Sequence, residues 1–233
     1  MASQLPPSRL LIADIATRLG ELNEQVVFVG GIVTDLLMTR VPSPQPRATK
    51  DIDVIVSVAT TPEFSRFEES LRARGFSHDK SPGAPICRWI VDGLLLDAMP
   101  VESKVLGFVN RWYPEAVKTA MSMPLGDNLV VRIIAPPVFI ATKLEAFSNR
   151  GEGNYDASDD IDDVISVIDG REEIISEIET SSVEVRQFLI ERFSSLLGDN
   201  DFTYSISAHL LSDAGSQARH SIIIDRMEQI SCL

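Results

Sequence analysis

The stretch from Val26 to Val56 constrains this chain most. It opens VVFVGGIVTDLLMTR and, past a proline-rich loop, resumes as RATKDIDVIV. Four apolar residues, Val26 to Val29, predict a strand; Gly30-Gly31 predict a tight turn; Ile32 onward predicts a helix. A second strand then carries Asp51 and Asp53 at its entrance. Residues two apart in a strand point to the same face. Asp51 and Asp53 therefore project together, while Ile52, Val54 and Val56 turn to the opposite, buried face. Paired glycines let bare backbone N–H groups approach a ligand, and a helix behind them adds a positive dipole end. Two carboxylates a few Å apart repel by roughly 4 kcal/mol at an intermediate dielectric, so the pair calls for a counter-cation. A phosphate cradle and an acidic pair joined by one loop are parts of a site that handles nucleoside triphosphates.

The rest of the chain gives this stretch a scaffold. With 233 residues and 44% hydrophobic content, it is long enough for a substantial core, as one domain or as a domain with a helical lobe. Pro7 to Leu22 reads as an amphipathic first helix. The loop VPSPQPRATK holds three prolines and is extended. Pro62 to Gly75 reads as a helix, with Thr61 as its cap and Gly75 as its stop. ICRWIVDGLLLDAMPV has the signature of a hairpin turning at Asp92-Gly93, with Leu95, Asp97 and Met99 on one face. Gly107 to Met121 has a helical period broken near Pro114. Asn128 to Ala135 reads as a strand ended by Pro136-Pro137, and Val138 to Arg150 as a helix. Ser158 caps a further helix, and everything after it reads as helical. The fold class expected is α/β (α+β): a mixed β-sheet with flanking helices over residues 1–151, then an all-helical lobe over 152–233.

Charge is distributed unevenly. Residues 1–151 hold 16 basic and 16 acidic side chains, and residues 152–233 hold 5 basic against 18 acidic, so the second part carries the whole net charge of −13. Affinity for nucleic acid rests on Lys and Arg contacts to phosphates, so this part is not expected to grip RNA; a basic partner protein is its natural neighbour. No apolar run is long enough to span a membrane, no signal-peptide layout is present, and two cysteines make no disulfide framework. A cytoplasmic location is the expectation. The three histidines sit in unrelated segments, no nucleophile-elbow sequence appears, and no Walker-type phosphate loop is present.

Several side chains join the acidic pair as candidates, each with a plainer reading. Asp97, alone in the apolar LLLDAMPV, is the third carboxylate; it is costly to bury without a partner, and its plain reading is a satisfied structural acid. Converging carboxylates suit two-ion phosphoryl transfer, in which one ion activates the attacking hydroxyl and the other holds the triphosphate. An all-oxygen donor set points to magnesium or manganese. Arg47, Thr49 and Lys50 flank the pair, either to meet a triphosphate or to balance charge. Lys143 and Arg150 lie seven apart on one side of their helix, and the plain reading is a solvated edge whose stems lie over the core. Asp160 and Asp163 follow on the next helix, where they could hold Lys143 or Arg150 in place.

In their order, GG, then a helix, then R-x-T-K-D-I-D, then KLEAFSNR and DDIDDVISVI, these motifs resemble the nucleotidyltransferase superfamily, and within it the AbiEii/AbiGii-type toxins. The resemblance spans roughly residues 20 to 170. It implies that Gly30 and Gly31 face the nucleotide phosphates and that Asp51, Asp53 and Asp97 bind magnesium, Asp97 serving as third ligand or general base. It carries Lys143 onto a motif lysine that contacts the nucleotide, and Asp160 and Asp163 onto the family's acidic helix. Two departures stand out. The family often has Gly-Ser where this chain has Gly-Gly, and it has a basic residue before the first Asp where this chain has Ser158 and Asp159. The activity implied is transfer of a nucleoside monophosphate from a triphosphate to an acceptor on tRNA or protein, in a toxin–antitoxin or phage-defence setting with a cognate antitoxin. Two rivals stand beside it: a small-molecule nucleotidyltransferase acting on an aminoglycoside-like acceptor, and a non-catalytic homologue that binds nucleotide or a partner.

Overall fold

The computed structural model describes residues 7–40, 49, 51–58, 60–102, 110–126, 128–150 and 154–233. These residues form two compact units. The first comprises the chain up to Leu36 and from Ala48 to Ala135; the second comprises residues 37–40 and Pro136–Leu233. The boundary expected near residue 151 falls outside the described residues, and the helix Pro136–Arg150 belongs with the second unit.

In the first unit, helix α1 (Pro7–Leu19) runs into a 3-10 turn (Gly20–Gln25) and strand β1 (Val26–Val29). Every residue of β1 is buried, as an uninterrupted apolar run in a central strand requires. The glycine turn leads into a 3-10 turn (Gly31–Val33) and the four-residue helix α2 (Thr34–Leu37). The helix expected from about Ile32 is thus about two short turns, with little macrodipole to offer. Strand β2 (Asp51–Val56) follows. Helix α3 (Thr61–Ala73) opens on a capping box made by Thr60 and Glu63, so the cap lies one residue before the expected Thr61. Strands β3 (Ser77–His78), β4 (Arg88–Val91) and β5 (Leu94–Pro100) come next. Asp92 and Gly93 both have positive φ, at 46° and 82°, the geometry of a two-residue hairpin turn.

Beyond them, helix α4 (Tyr113–Lys118) is what exists, among the described residues, of the helix expected over Gly107 to Met121. Met121 instead begins strand β6 (Met121–Gly126), which pairs with β7 (Leu129–Ile133). MSMPLG alternates, with Met121, Met123 and Leu125 on the less exposed face and Ser122, Pro124 and Gly126 exposed. It is held by its ladder with β7, and Pro124 is tolerated because β6 lies at the end of the sheet. The sheet is seven-stranded and mixed, in the order β3-β4-β5-β2-β1-β7-β6. The pairs β2–β5 and β1–β7 are parallel, and the other neighbours antiparallel.

The described part of the second unit is all helical. Helix α5 (Pro136–Arg150) begins at its two prolines rather than after them, since a missing N–H is harmless in a first turn. Ser158 caps α6 (Asp159–Gly170) by accepting from the Ile161 N–H. Then come α7 (Ile174–Glu179), α8 (Val183–Leu197), α9 (Asn200–Ser205), α10 (Ala214–Gln217) and α11 (Arg219–Ser231). YSISAHLLSD, expected as one helix, gives the end of α9 and a 3-10 turn (Ile206–His209). Leu144, Phe147, Ile161, Ile165, Leu189, Phe193, Ile223 and Met227 are among its buried apolar side chains. Residues 38–40 clasp the end of α6: the Thr39 and Arg40 N–H groups both donate to the Gly170 carbonyl at 2.9 Å, and Thr39 Oγ1 donates to Glu173. A Cβ on Gly170 would lie 2.5 Å from Met38 Cγ, so a larger residue here would have to displace the Met38 side chain. Among the described residues, no helix is long and apolar enough to cross a membrane.

Candidate active site

Strand register assembles the first half of the site. In the parallel pair of β2 and β5, Asp53 stands opposite Asp97. In the antiparallel pair of β1 and β2, Asp53 stands opposite Val29, the residue before the glycine turn. The turn then closes on the acid. Gly30 has φ +71°, and a Cβ there would fall 2.0 Å from Asp53 Oδ2. Glycine is therefore required twice, once for a left-handed backbone and once for contact. Gly31 is buried at the start of the next turn. Thr49 Oγ1 lies 3.5 Å from the Asp51 carbonyl oxygen, while Arg47 and Lys50 lie outside the described residues.

The residue that sequence reasoning missed is Arg88, on β4. Its Nε donates to Asp97 Oδ1 and its Nη2 to Asp97 Oδ2, both at 2.8 Å; Nη2 also donates to Asp51 Oδ2 at 2.8 Å. A guanidinium fork thus spans three adjacent strands and supplies a counter-cation to the acidic pair. Hydrogen bonding to Asp97, above all, drives the Arg88 pKa further up, against the burial that opposes it. The signal was present in the sequence. A two-residue hairpin at Asp92-Gly93 pairs Val91 with Leu94, and counting outward sets Arg88 opposite Asp97. Beside it, burial first and the charge of Asp97 second push the Cys87 thiol up to about 11.

Asp97 is nearly buried, at 7% exposure, and both its oxygens are on Arg88. As placed, Asp51, Asp53 and Asp97 do not converge as three free donors. Among the described residues, no group of three His, Cys, Asp or Glu side chains is arranged to hold a metal ion. Asp51 and Asp53 lie on one face of β2, as the alternation of DIDVIV requires. A cleft of about 440 Å³ in this unit lies past the other end of β2, at Ser57, Val58, Glu63 and Arg66, and holds none of the expected residues.

The second unit gathers the other set. Lys143 on α5 is 8% exposed, and Asp160 and Asp163 on α6 are 3% and 1% exposed. Lys143 Nζ lies 3.2 Å from Asp160 Oδ1 and 2.5 Å from Asp163 Oδ2, with the Phe139 ring centroid at 5.7 Å. Arg150, largely exposed, reaches Asp160 Oδ2 at 3.0 Å. The plain reading of Lys143 as a solvated helix edge is therefore corrected: α6 packs on that side of α5 and buries the ammonium between two carboxylates. Nearby, His209 is enclosed, with Nδ1 at 3.1 Å from Asp162 Oδ1 and Nε2 at 2.8 Å from the Tyr155 carbonyl oxygen.

No protein-family profile matches this chain, and no curated protein matches it. Among solved structures it is similar to an antigenic nucleotidyltransferase-like protein from Paracoccidioides brasiliensis, with 19% identity over 86% of this chain and 92% of that one and a TM-score of 0.48. A likeness at this level carries no inference about chemistry.

Proposed function

We propose that the Asp51/Asp53 face is the catalytic face of a nucleotidyltransferase. The observation that carries this reading is the contact of Gly30 with Asp53: the glycine turn and the D-x-D strand, some twenty residues apart in sequence, converge on one point. Bare backbone beside a carboxylate pair suits a nucleoside triphosphate, whose phosphates need both N–H donors and cations. The acceptor oxygen attacks the α-phosphorus, the new O–P bond forms, and the bond to the bridging oxygen breaks, releasing pyrophosphate. The acceptor proton passes to a carboxylate. Asp51 Oδ1 is the nominee, because Arg88 engages only Oδ2 of that residue. A divalent ion, magnesium or manganese, on Asp51 and Asp53 would supply charge neutralisation for the triphosphate when bound. Arg88 orients on Asp97 and presents a fixed positive charge to the same region.

The finer reading is transfer to a hydroxyl or phosphate of tRNA or protein, as a cytoplasmic toxin of a toxin–antitoxin or phage-defence system, with a basic antitoxin on the acidic lobe. Lys143 and Arg150 belong to that reading as nucleotide contacts, with Asp160 and Asp163 supporting them. The acidic surplus of residues 152–233 favours a second reading, a small cationic acceptor of the aminoglycoside kind.

The test incubates the protein with magnesium and each labelled nucleoside triphosphate in turn, against total RNA, cell lysate and small cationic amines. The Asp51→Ala/Asp53→Ala protein runs alongside. Label reaching one acceptor class only with the intact pair is the expected result, and it names base and acceptor together. Identical blank lanes for both proteins, with nucleotide binding retained, would assign the chain to a binding role instead.

A further inference from the structure

His209 makes two contacts that only one of its protonation states can satisfy. Its side chain is 5% exposed, at the end of the turn Ile206–His209. Nδ1 lies 3.1 Å from Asp162 Oδ1, and Nε2 lies 2.8 Å from the Tyr155 carbonyl oxygen. An ionised carboxylate and a carbonyl accept hydrogen bonds and cannot donate them. A neutral imidazole has one N–H, so both contacts are hydrogen bonds only when the ring is an imidazolium. Asp162 on α6 and Asp156 on the segment before it both favour the charged ring. Burial opposes it most, yet these contacts and charges outweigh burial, and the ring titrates above its ordinary value. Asp199, at the start of α9, stands one step away through the Tyr155 hydroxyl. His220 on α11, the other histidine of this unit, has its Nε2 at the Thr203 carbonyl oxygen, and Gln217 on α10 brings an uncharged amide to the Ser207 carbonyl.

The carbonyl that His209 holds lies in residues 154–158. Tyr155 is anchored by its side chain apart from His209: the hydroxyl donates to Asp199 Oδ2 at 2.9 Å, and the ring lies 5.4 Å from both Phe147 and Phe202. Its carbonyl also accepts from the Ser158 N–H at 3.4 Å. Asn154, Ala157 and Ser158 line a cleft of about 250 Å³ together with Phe147, Arg150 and Asp160. We infer that His209 is a proton-operated clasp on the wall of this cleft. As an imidazolium it ties the turn Ile206–His209 to α6 and to residues 154–158 at once. When the ring gives a proton to solvent, the carboxylate, as the stronger acceptor, keeps the remaining N–H on Nδ1. Nε2 then turns a lone pair toward the Tyr155 carbonyl oxygen, and the main chain of residues 154–158 is released while α6 stays held. The device needs no nucleotide and does not rest on the transferase reading.

The test follows the full, isotope-labelled chain by nuclear magnetic resonance from pH 5.5 to pH 8.5. Ring-nitrogen chemical shifts report which nitrogens of His209 carry protons. Hydrogen exchange, corrected for the intrinsic rate at each pH, reports protection of the Ser158 amide, whose acceptor is the Tyr155 carbonyl. The ring is expected to carry both protons at pH 5.5 and one, on Nδ1, at pH 8.5. Protection of Ser158 should fall by about tenfold over the same range in the wild type and stay level in His209→Gln, which has no proton to lose. Asp162→Asn removes the charged acceptor and should move the ring titration and the loss of protection to lower pH together. A single ring proton at pH 5.5, an Nε2–H ring at pH 8.5, protection that does not follow the ring, or an equal fall in His209→Gln each overturn the inference. If His209→Gln does not fold, Asp162→Asn decides alone, because a merely structural histidine would leave the pH of the loosening where it was.

Discussion

Lys143→Met replaces a buried ammonium with an apolar chain of similar length, and its cost can be worked from the structure. Lys143 is 8% exposed and meets Asp160 and Asp163, themselves 3% and 1% exposed. Asp160 keeps Arg150 at 3.0 Å after the change, and both carboxylates lose the shared ammonium. Removing one partner of a buried ion pair costs about 3–5 kcal/mol, because the other charge is left away from water. With a urea slope of about 2 kcal/mol per molar, the unfolding midpoint should fall by roughly 2 M. Replacing both members of a buried pair with neutral groups is often close to neutral. Lys143→Met/Asp163→Asn should therefore recover most of the loss, giving a coupling energy of at least about 2 kcal/mol in the double-mutant cycle. Urea titration followed by circular dichroism at pH 7 measures all four proteins. A single variant that loses under about 1 kcal/mol, or a double variant no better than the single, refutes the argument that this lysine is first a structural cation. Transfer assays on the folded double variant then test separately whether Lys143 also meets nucleotide.

Gly30→Ala should cost at least about 2 kcal/mol in a thermal or urea melt, from the left-handed φ and from a Cβ driven into Asp53 Oδ2; a change under about 0.5 kcal/mol would contradict the close approach. At His209, burial pulls the ring pKa down, but hydrogen bonds to Asp162 and to the Tyr155 carbonyl outweigh it, and the net shift is upward. A raised folded-state pKa gives stability that is full below about pH 6.5 and is lost as pH rises through the folded value. The stability gap between the wild type and His209→Gln should accordingly be wider at pH 5.5 than at pH 8.5, and an equal or reversed gap in urea titrations refutes the assignment. Cys232 is exposed, whereas Cys87 is buried with its thiol pushed up to about 11. Iodoacetamide at pH 7.5 should label Cys232 and spare Cys87 until urea unfolds the chain; mass spectrometry showing equal rates would count against the buried thiol.

Much of the fold follows from short-range chemistry. The apolar run Val26–Val29 is a buried strand, and the alternation in DIDVIV sends Asp51 and Asp53 to one face of the next strand. Asp92-Gly93 makes the hairpin, and Ser158 makes the cap of its helix, because each acts within three or four residues of itself. The hairpin even encodes the placing of Arg88 opposite Asp97, once its register is counted outward from the turn. What misled was also local. Gly107 to Met121 has helical spacing, but Met121 is claimed by a ladder with Ile133, whose local sign is the alternation of MSMPLG just beyond that stretch. The helix expected behind Gly30-Gly31 stops at Leu37, where the next residues clasp the far end of helix Asp159–Gly170.

The sequence by itself determined most of the strands and helices and which of their faces are apolar, since those depend mainly on neighbours one to four positions away. Only the tertiary structure decided which charges meet. Lys143 is expected at a solvated edge, at a nucleotide, or held by Asp160 and Asp163, and the packing of one helix on the other sets it between those two carboxylates. Asp97 reads as a third ligand or as a satisfied structural acid, and which cation satisfies it is set by Arg88, on the adjacent strand, which takes both its oxygens. The physical reason is that a charge's partner is set by distance in space, and at a few Å across strands or helices that distance is fixed by packing and register, which a linear pattern records only where a tight turn joins the two elements.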